Sequence, residues 1–324
     1  MKILVTGGSG YVGSRVTNVL VKRGFDVAIA DKVDPTVRKL KFPKEIEVRL
    51  GDLRDSTVAS RAVFGIETIV HLAANIGPLT YMHEHQAEIL QENTAIDAAL
   101  YPAMVEAGVR TVIYSSSSMV FQRSTVYPYK ESDLAKINPP TNVYGLSKLI
   151  GEYFCRSFHE QHGLNYVIMR YHNIYGPGED SKGSTPGDIH VIPALVEKVL
   201  SGQYPLELLG NPEATRPFTY VDDTVEATVR LVEEAVAGNP EVLNTDFNIG
   251  PREATKILDL AKLIWEILGG DRPFKYKVKA TEAVTADQRE MNPEKIERVI
   301  GWEPKMPLEE GIKIVADWIR ERKA

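Results

Sequence analysis

Short, nearly continuous apolar runs alternate with segments whose apolar positions recur every three to four residues. This alternation fills the first two-thirds of the chain and is the pattern of strand and helix units laid into a parallel sheet. The runs predict strands at Lys2 to Thr6, Asp26 to Ala30, Glu47 to Leu50, Thr68 to Leu72, Thr111 to Ser115, Tyr166 to Tyr171 and Asp246 to Ile249. Strands covered by helices on both faces are apolar nearly throughout, and these runs read that way. Helical spacing covers Val12 to Arg23, Ser56 to Phe64, Gln86 to Ala107, Tyr144 to His162 and Asp222 to Ala237. The fold class is therefore α/β, built on a doubly wound, seven-stranded parallel sheet.

After Tyr175 the texture changes to the polar, turn-rich stretch Gly176-Pro177-Gly178-Glu179-Asp180-Ser181-Lys182-Gly183, which reads as the passage into a second, smaller α/β lobe. Helical periodicity resumes at Val191 to Ser201, Thr255 to Leu268 and Leu308 to Arg322, while Phe218 to Ile249 returns to the sheet. The expected division is a sheet domain of residues 1–175 and 216–250 and a C-terminal substrate lobe of residues 176–215 and 251–324. A length of 324 residues suits such an arrangement, because single cores seldom grow beyond about 250–300 residues.

Composition narrows the function classes. A net charge of -6 argues against a nucleic-acid or anionic-membrane surface. One cysteine, Cys155, excludes an internal disulfide framework and a multi-cysteine metal site, and no metal is expected. No window approaches the roughly 20 apolar residues that span a bilayer, and the N-terminal run is too short for a signal peptide, so the expected location is cytoplasmic.

The candidate chemistry lies at two places. Gly7-Gly8-Ser9-Gly10-Tyr11-Val12-Gly13 follows a strand and opens a helix, the setting in which a glycine turn cradles a pyrophosphate. Gly7 permits the turn, Gly10 allows backbone to approach the ligand, and Gly13 allows close helix packing. Asp31 ends the next strand, where a carboxylate accepts the ribose hydroxyls of an adenosine and repels a 2'-phosphate. That favours NAD over NADP, while Lys32 beside it could tolerate the phosphate. Asp52 and Leu53 are placed to contact adenine, Ala73 and Ala74 to let the dinucleotide pass, and Asn93, a poor helix former in mid-helix, to face the cofactor. At the second place, Tyr144 and Lys148 share a helix face four residues apart. A neighbouring ammonium favours the phenolate, so the phenol is expected to be made acidic enough to act as a general base, with Ser117 holding the substrate oxygen.

Taken with His71-Leu72-Ala73-Ala74, Ser115 to Ser118, Arg170 to Pro177, Thr215 to Asp223, Phe247 to Gly250 and Gly301 to Pro304, these motifs give the chain a resemblance over nearly its whole length. It resembles the extended short-chain dehydrogenases/reductases, the group containing nucleotide-sugar epimerases and dehydratases. The resemblance implies a Rossmann domain binding NAD, a catalytic set of Tyr144, Lys148 and Ser117, and a nucleoside-diphosphate sugar oxidised transiently at its C4 hydroxyl. It assigns Tyr11, Val12, Leu72, Ser115, Tyr144, Lys148 and Tyr171 to the cofactor. It assigns Ser117, Ser118, Met119, Asn173, Lys182, His190, Val191, Arg216 and Arg289 to the substrate. Asn173 and Arg216 would hold the diphosphate, the alternative for Arg216 being an ion pair with Asp222 or Asp223.

Within the group the chain resembles the GDP-mannose 3,5-epimerases at Tyr171 to Pro177, Lys182-Gly183 and the tail from Arg289 to Trp318. Those enzymes carry a cysteine acid/base where Met119 stands, with a lysine at the position of Lys182. A thioether cannot exchange a proton. The 4,6-dehydratases place Asp-Glu where this chain has Ser118-Met119. What remains is 4-epimerisation through a 4-keto sugar, with a UDP-hexose as the expected substrate. A GDP-sugar 3,5-epimerase or a C4 dehydrogenase/dehydratase is the nearer alternative, a non-catalytic NAD-binding sensor the more distant one. Arg289 is the candidate substitute for an arginine that these epimerases carry before their final Gly-Asp. Helices Gln86 to Ala107 and Tyr144 to His162 carry apolar residues beyond one face, and members of the group pair them between subunits, so a homodimer is expected.

Overall fold

The computed structural model describes residues 1–43, 45–179, 190–281 and 286–323. All seven predicted strands are present: β1 (Lys2–Thr6), β2 (Asp26–Asp31), β3 (Glu47–Leu50), β4 (Thr68–His71), β5 (Thr111–Ser117), β6 (Asn165–Tyr171) and β7 (Thr245–Ile249). They form one parallel sheet in the order β7-β6-β5-β4-β1-β2-β3. The chain runs outward from β1 to β3 and then crosses back to place β4 on the other side of β1. The order therefore reverses between β1 and β4, and a crevice opens beyond their carboxyl ends, where ligands of such sheets bind.

One expectation about the strands fails. β3 is not buried on both faces: Leu50 is 52% exposed and Val48 is exposed as well. Its sequence Glu-Val-Arg-Leu alternates because it is the edge strand, and Glu47 caps that edge with ion pairs to Lys2 and Arg49.

Helices cover both faces. α2 (Ser56–Val63), α4 (Gln86–Glu106) and α5 (Val143–His162) pack with Leu4, Ala28, Ile69, Val112 and Ile168 on one side. α1 (Tyr11–Lys22) and α7 (Val221–Val236) pack with Ile3, Val5, Ile29, Ile113 and Phe247 on the other. That second core runs without a break into α6 (Val191–Leu200), α8 (Ile257–Leu268) and α10 (Leu308–Lys323) through Leu195, Ile264 and Ile312. α8 begins two residues later than its periodicity predicts, because Thr255 and Lys256 pair antiparallel with Thr215 and Arg216. The short helices α3 (Leu79–Glu84) and α9 (Glu294–Ile300) and the parallel pair Leu206–Leu209 with Tyr276–Lys279 are additions that the periodicity does not announce. Among the described residues no helix is long and apolar enough to cross a membrane.

A buried ion network pins the strands beneath the crevice. Arg170 on β6 is fully buried and donates to both carboxylate oxygens of Glu152 on α5, each at 2.8 Å, and to Asp246 on β7 at 2.6 Å. Glu152 also accepts from Ser116 on β5 at 2.6 Å. The network ties α5 to three strands at the level of the serine run.

Candidate active site

The glycine turn takes the predicted form. Gly7 sits at φ +69°, a conformation costly for any residue with a Cβ, and a Cβ there would lie 2.9 Å from the backbone nitrogen of Ala73. At Gly13 a Cβ would overlap the carbonyl oxygen of Gly7, so α1 can press this close to the turn only with glycine. Gly10 caps α1 without a side-chain bond, which leaves the first N–H groups of the helix facing the crevice. The Asp31 carboxylate accepts from the backbone nitrogens of Ser9 at 3.0 Å and Val33 at 2.9 Å, which holds it at the edge of the turn beside Lys32. Ala73 has its N–H anchored on Thr6 Oγ1 at 3.2 Å.

These residues line one continuous cleft of about 1470 Å³, together with Tyr11, Val12, Asp52, Leu53, Leu72, Ala74, Ser115, Tyr144, Lys148 and Tyr171. A single drug-sized ligand fills about 300–1,000 Å³, so the cleft has room for a dinucleotide and a second ligand. Three of the expected cofactor residues have side chains that already hold partners within the protein. Asn93 is buried behind the wall instead of lining it: its amide donates to Asn75 O and Ser147 Oγ and accepts from Asn75 N at 2.6 Å. The Asp52 carboxylate accepts from Arg54 at 2.6 Å at the cleft wall, beside Leu53. The hydroxyl of Tyr171 is taken by Thr228 on α7 at 2.7 Å.

At the reactive end, Asn142 caps α5 by accepting from Gly145 N, and the helix then presents Tyr144 and Lys148 to the cleft beside Ser117. All three are buried, at 7%, 4% and 8% exposure. Lys148 Nζ donates to Ser115 O at 2.7 Å and stands 6.0 Å from the centre of the Tyr144 ring. The expected acidic phenol is not found. Burial pushes the Tyr144 hydroxyl well above its ordinary range, and the facing Ser117 hydroxyl draws it only partway back. The lysine carries the opposite effect: burial pushes its ammonium down to about 8. Dehydration of the pocket outweighs the attraction that the spacing suggested.

The substrate end gathers two arginines. Arg216 is pushed down to about 9 by burial and by Arg289, and it donates to Thr215 O and Asp287 O. It is not paired with Asp222, which lies 3.9 Å from Arg15, or with Asp223, which accepts from Met306 N. Arg289 is lowered by burial, places Nη1 3.2 Å from the sulfur of Met119, and has Nε buried without a partner among the described residues. Ser118 and Met119 are buried in the wall next to Tyr144. Asn173 donates to Pro217 O, His190 pairs with Glu179, and Val191 opens α6. Lys182 lies outside the described residues. Asn75 and Met82 also line the cleft from a loop and a short helix that no motif marks, and Phe218 lines it from within the Thr215 to Asp223 motif, where no lining role was assigned to it. Among the described residues no group of His, Cys, Asp and Glu could hold a metal ion.

A helix N-terminus over a glycine turn at a sheet reversal, with a buried tyrosine and lysine facing the same cleft, defines a dinucleotide-dependent enzyme of the extended short-chain dehydrogenase/reductase group. More narrowly, the chain belongs to the NAD dependent epimerase/dehydratase family, whose model matches residues 3–250. It is 32% identical to a dTDP-4-dehydro-6-deoxy-D-allose reductase of Streptomyces bikiniensis, over 98% of this chain and 96% of that protein. It is 28% identical to the GDP-mannose 3,5-epimerase of Arabidopsis thaliana, over 99% of this chain and 83% of the relative. Among solved structures, the UDP-glucose 4-epimerase of Thermotoga maritima with UDP-glucose aligns with a TM-score of 0.84 at 28% identity, covering 100% of both chains. NAD is accordingly the cofactor, and the cradle around Gly7 and Gly13 fits its pyrophosphate.

Proposed function

We propose that the protein is a nucleotide-sugar 4-epimerase working through a transient 4-keto sugar, with a UDP-hexose as substrate. The observation that carries this reading is the pairing of a buried Tyr144, Lys148 and Ser117 group with a thioether, Met119, at the position where related enzymes hold a second proton carrier. Bound NAD supplies the hydride acceptor and then the donor, and in its oxidised form a positive ring that favours the phenolate which burial opposes. Ser117 holds the C4 oxygen, and Tyr144 takes its proton and later returns it. Lys148, fixed on Ser115 O, has ammonium hydrogens left to orient the cofactor's ribose. Arg216, Arg289 and Asn173 grip the diphosphate, for which guanidinium geometry is suited. The sugar turns over between the two steps in a cleft wide enough to allow it.

A net reductase of a 4-keto sugar is the second reading, favoured by the Streptomyces bikiniensis relative. Product analysis by NMR in deuterium oxide separates the possibilities. The proposal expects a C4 epimer, no deuterium at C3 or C5, and no consumption of reduced nicotinamide. Label at C3 or C5 assigns the protein to 3,5-epimerisation, and stoichiometric oxidation of added NADH assigns it to the reductases.

For the cofactor, Asp31→Ala is expected to weaken NAD more than NADP in equilibrium titrations, because the lost carboxylate both binds ribose hydroxyls and repels a 2'-phosphate. Equal losses would refute that role. We also propose a homodimer formed through α4 and α5, where Tyr153 is 62% exposed.

A further inference from the structure

We propose that Asp97 is a positioning residue for the reaction, a buried carboxylate that acts as counter-ion to the Lys148 ammonium from beneath the cleft and is anchored there by His71. The inference rests on the reading of Tyr144 and Lys148 as the reacting pair. Asp97 projects from α4, His71 from the end of β4 and Thr6 from the end of β1, and all three are buried. His71 Nε2 lies 2.9 Å from Asp97 Oδ1, and its Nδ1 lies 2.7 Å from Thr6 Oγ1, which also accepts the Ala73 N–H. One placement of protons satisfies every atom in this chain. In it His71 donates Nε2–H to Asp97 and accepts the Thr6 hydroxyl at Nδ1.

The second carboxylate oxygen is turned toward α5. A Cβ on Gly151 would lie 2.8 Å from Asp97 Oδ2 and would overlap the Tyr114 hydroxyl. Gly151 follows Lys148 by three residues, one turn along the same helix face. Glycine at this point is what lets an acid from α4 reach the helix that carries the lysine.

Among the described residues, the other groups around Lys148 do not supply a counter-charge. β5 contributes the Ser115 carbonyl and the Tyr114 ring, whose centre is 5.1 Å from Nζ. α5 contributes Tyr144 and Cys155, and behind them stand Tyr101 against Cys155, Glu152 against Ser116 and His71 against Asp97. Burial raises Tyr114, Tyr101, Tyr144 and Cys155 and keeps them protonated. Glu152 is neutralised by Arg170. Against the burial that pushes Lys148 down, Asp97 is the strongest opposing influence. A buried ammonium deprived of it ionises at lower pH still.

Lys148 lines the cleft, so a small amine-reactive reagent can acylate its free base. Mass spectrometry of the modified peptide against pH then gives the ionisation midpoint in the NAD-free protein without any turnover. Asp97→Asn is expected to move that midpoint down by roughly one pH unit, and the alkaline limb of kcat/KM by the same interval. Asp97→Ser removes the charge with less bulk and serves as the second variant if the buried site rejects the amide. A purely structural role for Asp97 lowers the unfolding temperature but moves neither midpoint, so an unchanged midpoint in either folded variant overturns the proposal. A shifted midpoint in a protein that turns over no nucleotide sugar upholds the counter-ion and removes the proposed reaction instead.

Discussion

Replacing Tyr144 with phenylalanine is expected to leave NAD binding intact and to lower turnover by roughly 10² to 10⁴, the usual contribution of a positioned acid/base group. The substitution removes one oxygen from a buried ring that packs against Met119 and Ile89, so the packing itself survives. Neither the glycine turn nor the Asp31 contacts involve that oxygen. The direction of the phenol's shift sharpens the expectation. Because burial holds the hydroxyl protonated in the cofactor-free protein, proton transfer must await cofactor and substrate, and wild-type activity should rise with pH over a range set by the complex, not by free Tyr144. Isothermal titration with NAD and steady-state kinetics on the same preparation decide the matter. Full turnover in the phenylalanine variant, or loss of NAD binding along with activity, removes Tyr144 from the reacting pair.

The second large effect falls on stability. Glu152→Leu should cost about 3–5 kcal/mol in denaturant unfolding, because it strips a fully buried guanidinium of its bidentate partner. Asp246 stays bonded to Arg170 but is shared with Lys295 and Arg156, and Ser116 loses its acceptor at the same time. Combining Glu152→Leu with Arg170→Met should recover most of the loss, since a well-packed apolar pair replaces a buried ion pair at little cost. A single-variant loss below about 1 kcal/mol would show that the pair is solvated or dispensable.

The sheet was legible because its strands announce themselves twice, by apolar runs and by the turns that follow them. Lys2 to Thr6 followed by glycines is the clearest case. β3 was placed correctly but assigned the wrong burial, since a four-residue run carries no mark of being at an edge except the alternation of Glu47 and Arg49. α3 is six residues long, too short for a period of 3.6 to show. The strands at Thr255 and Tyr276 depend on partners far away in the chain, at Arg216 and Leu206.

In the candidate site, spacing told which residues share a face but not how dry that face is. Tyr144 and Lys148 met as expected, and burial then reversed the predicted direction for the phenol. Asn93 pointed inward as its poor helix propensity suggested, and its amide there holds Asn75 and Ser147 behind the cleft wall. Asp97, three turns into an apolar helix with no motif around it, gave no signal until the fold brought β4 and α5 against it.

The apolar core that runs unbroken from the sheet into α6, α8 and α10 gives the cleft a fixed gauge. Parting the two sides as rigid jaws would wet Leu195, Ile264 and Ile312 together. Under the 4-epimerisation proposed above, a 4-keto sugar that must offer both faces of C4 to one hydride donor has to somersault inside a slot of constant width, and the clearance of that slot, more than any single contact, limits which sugars can complete the turn.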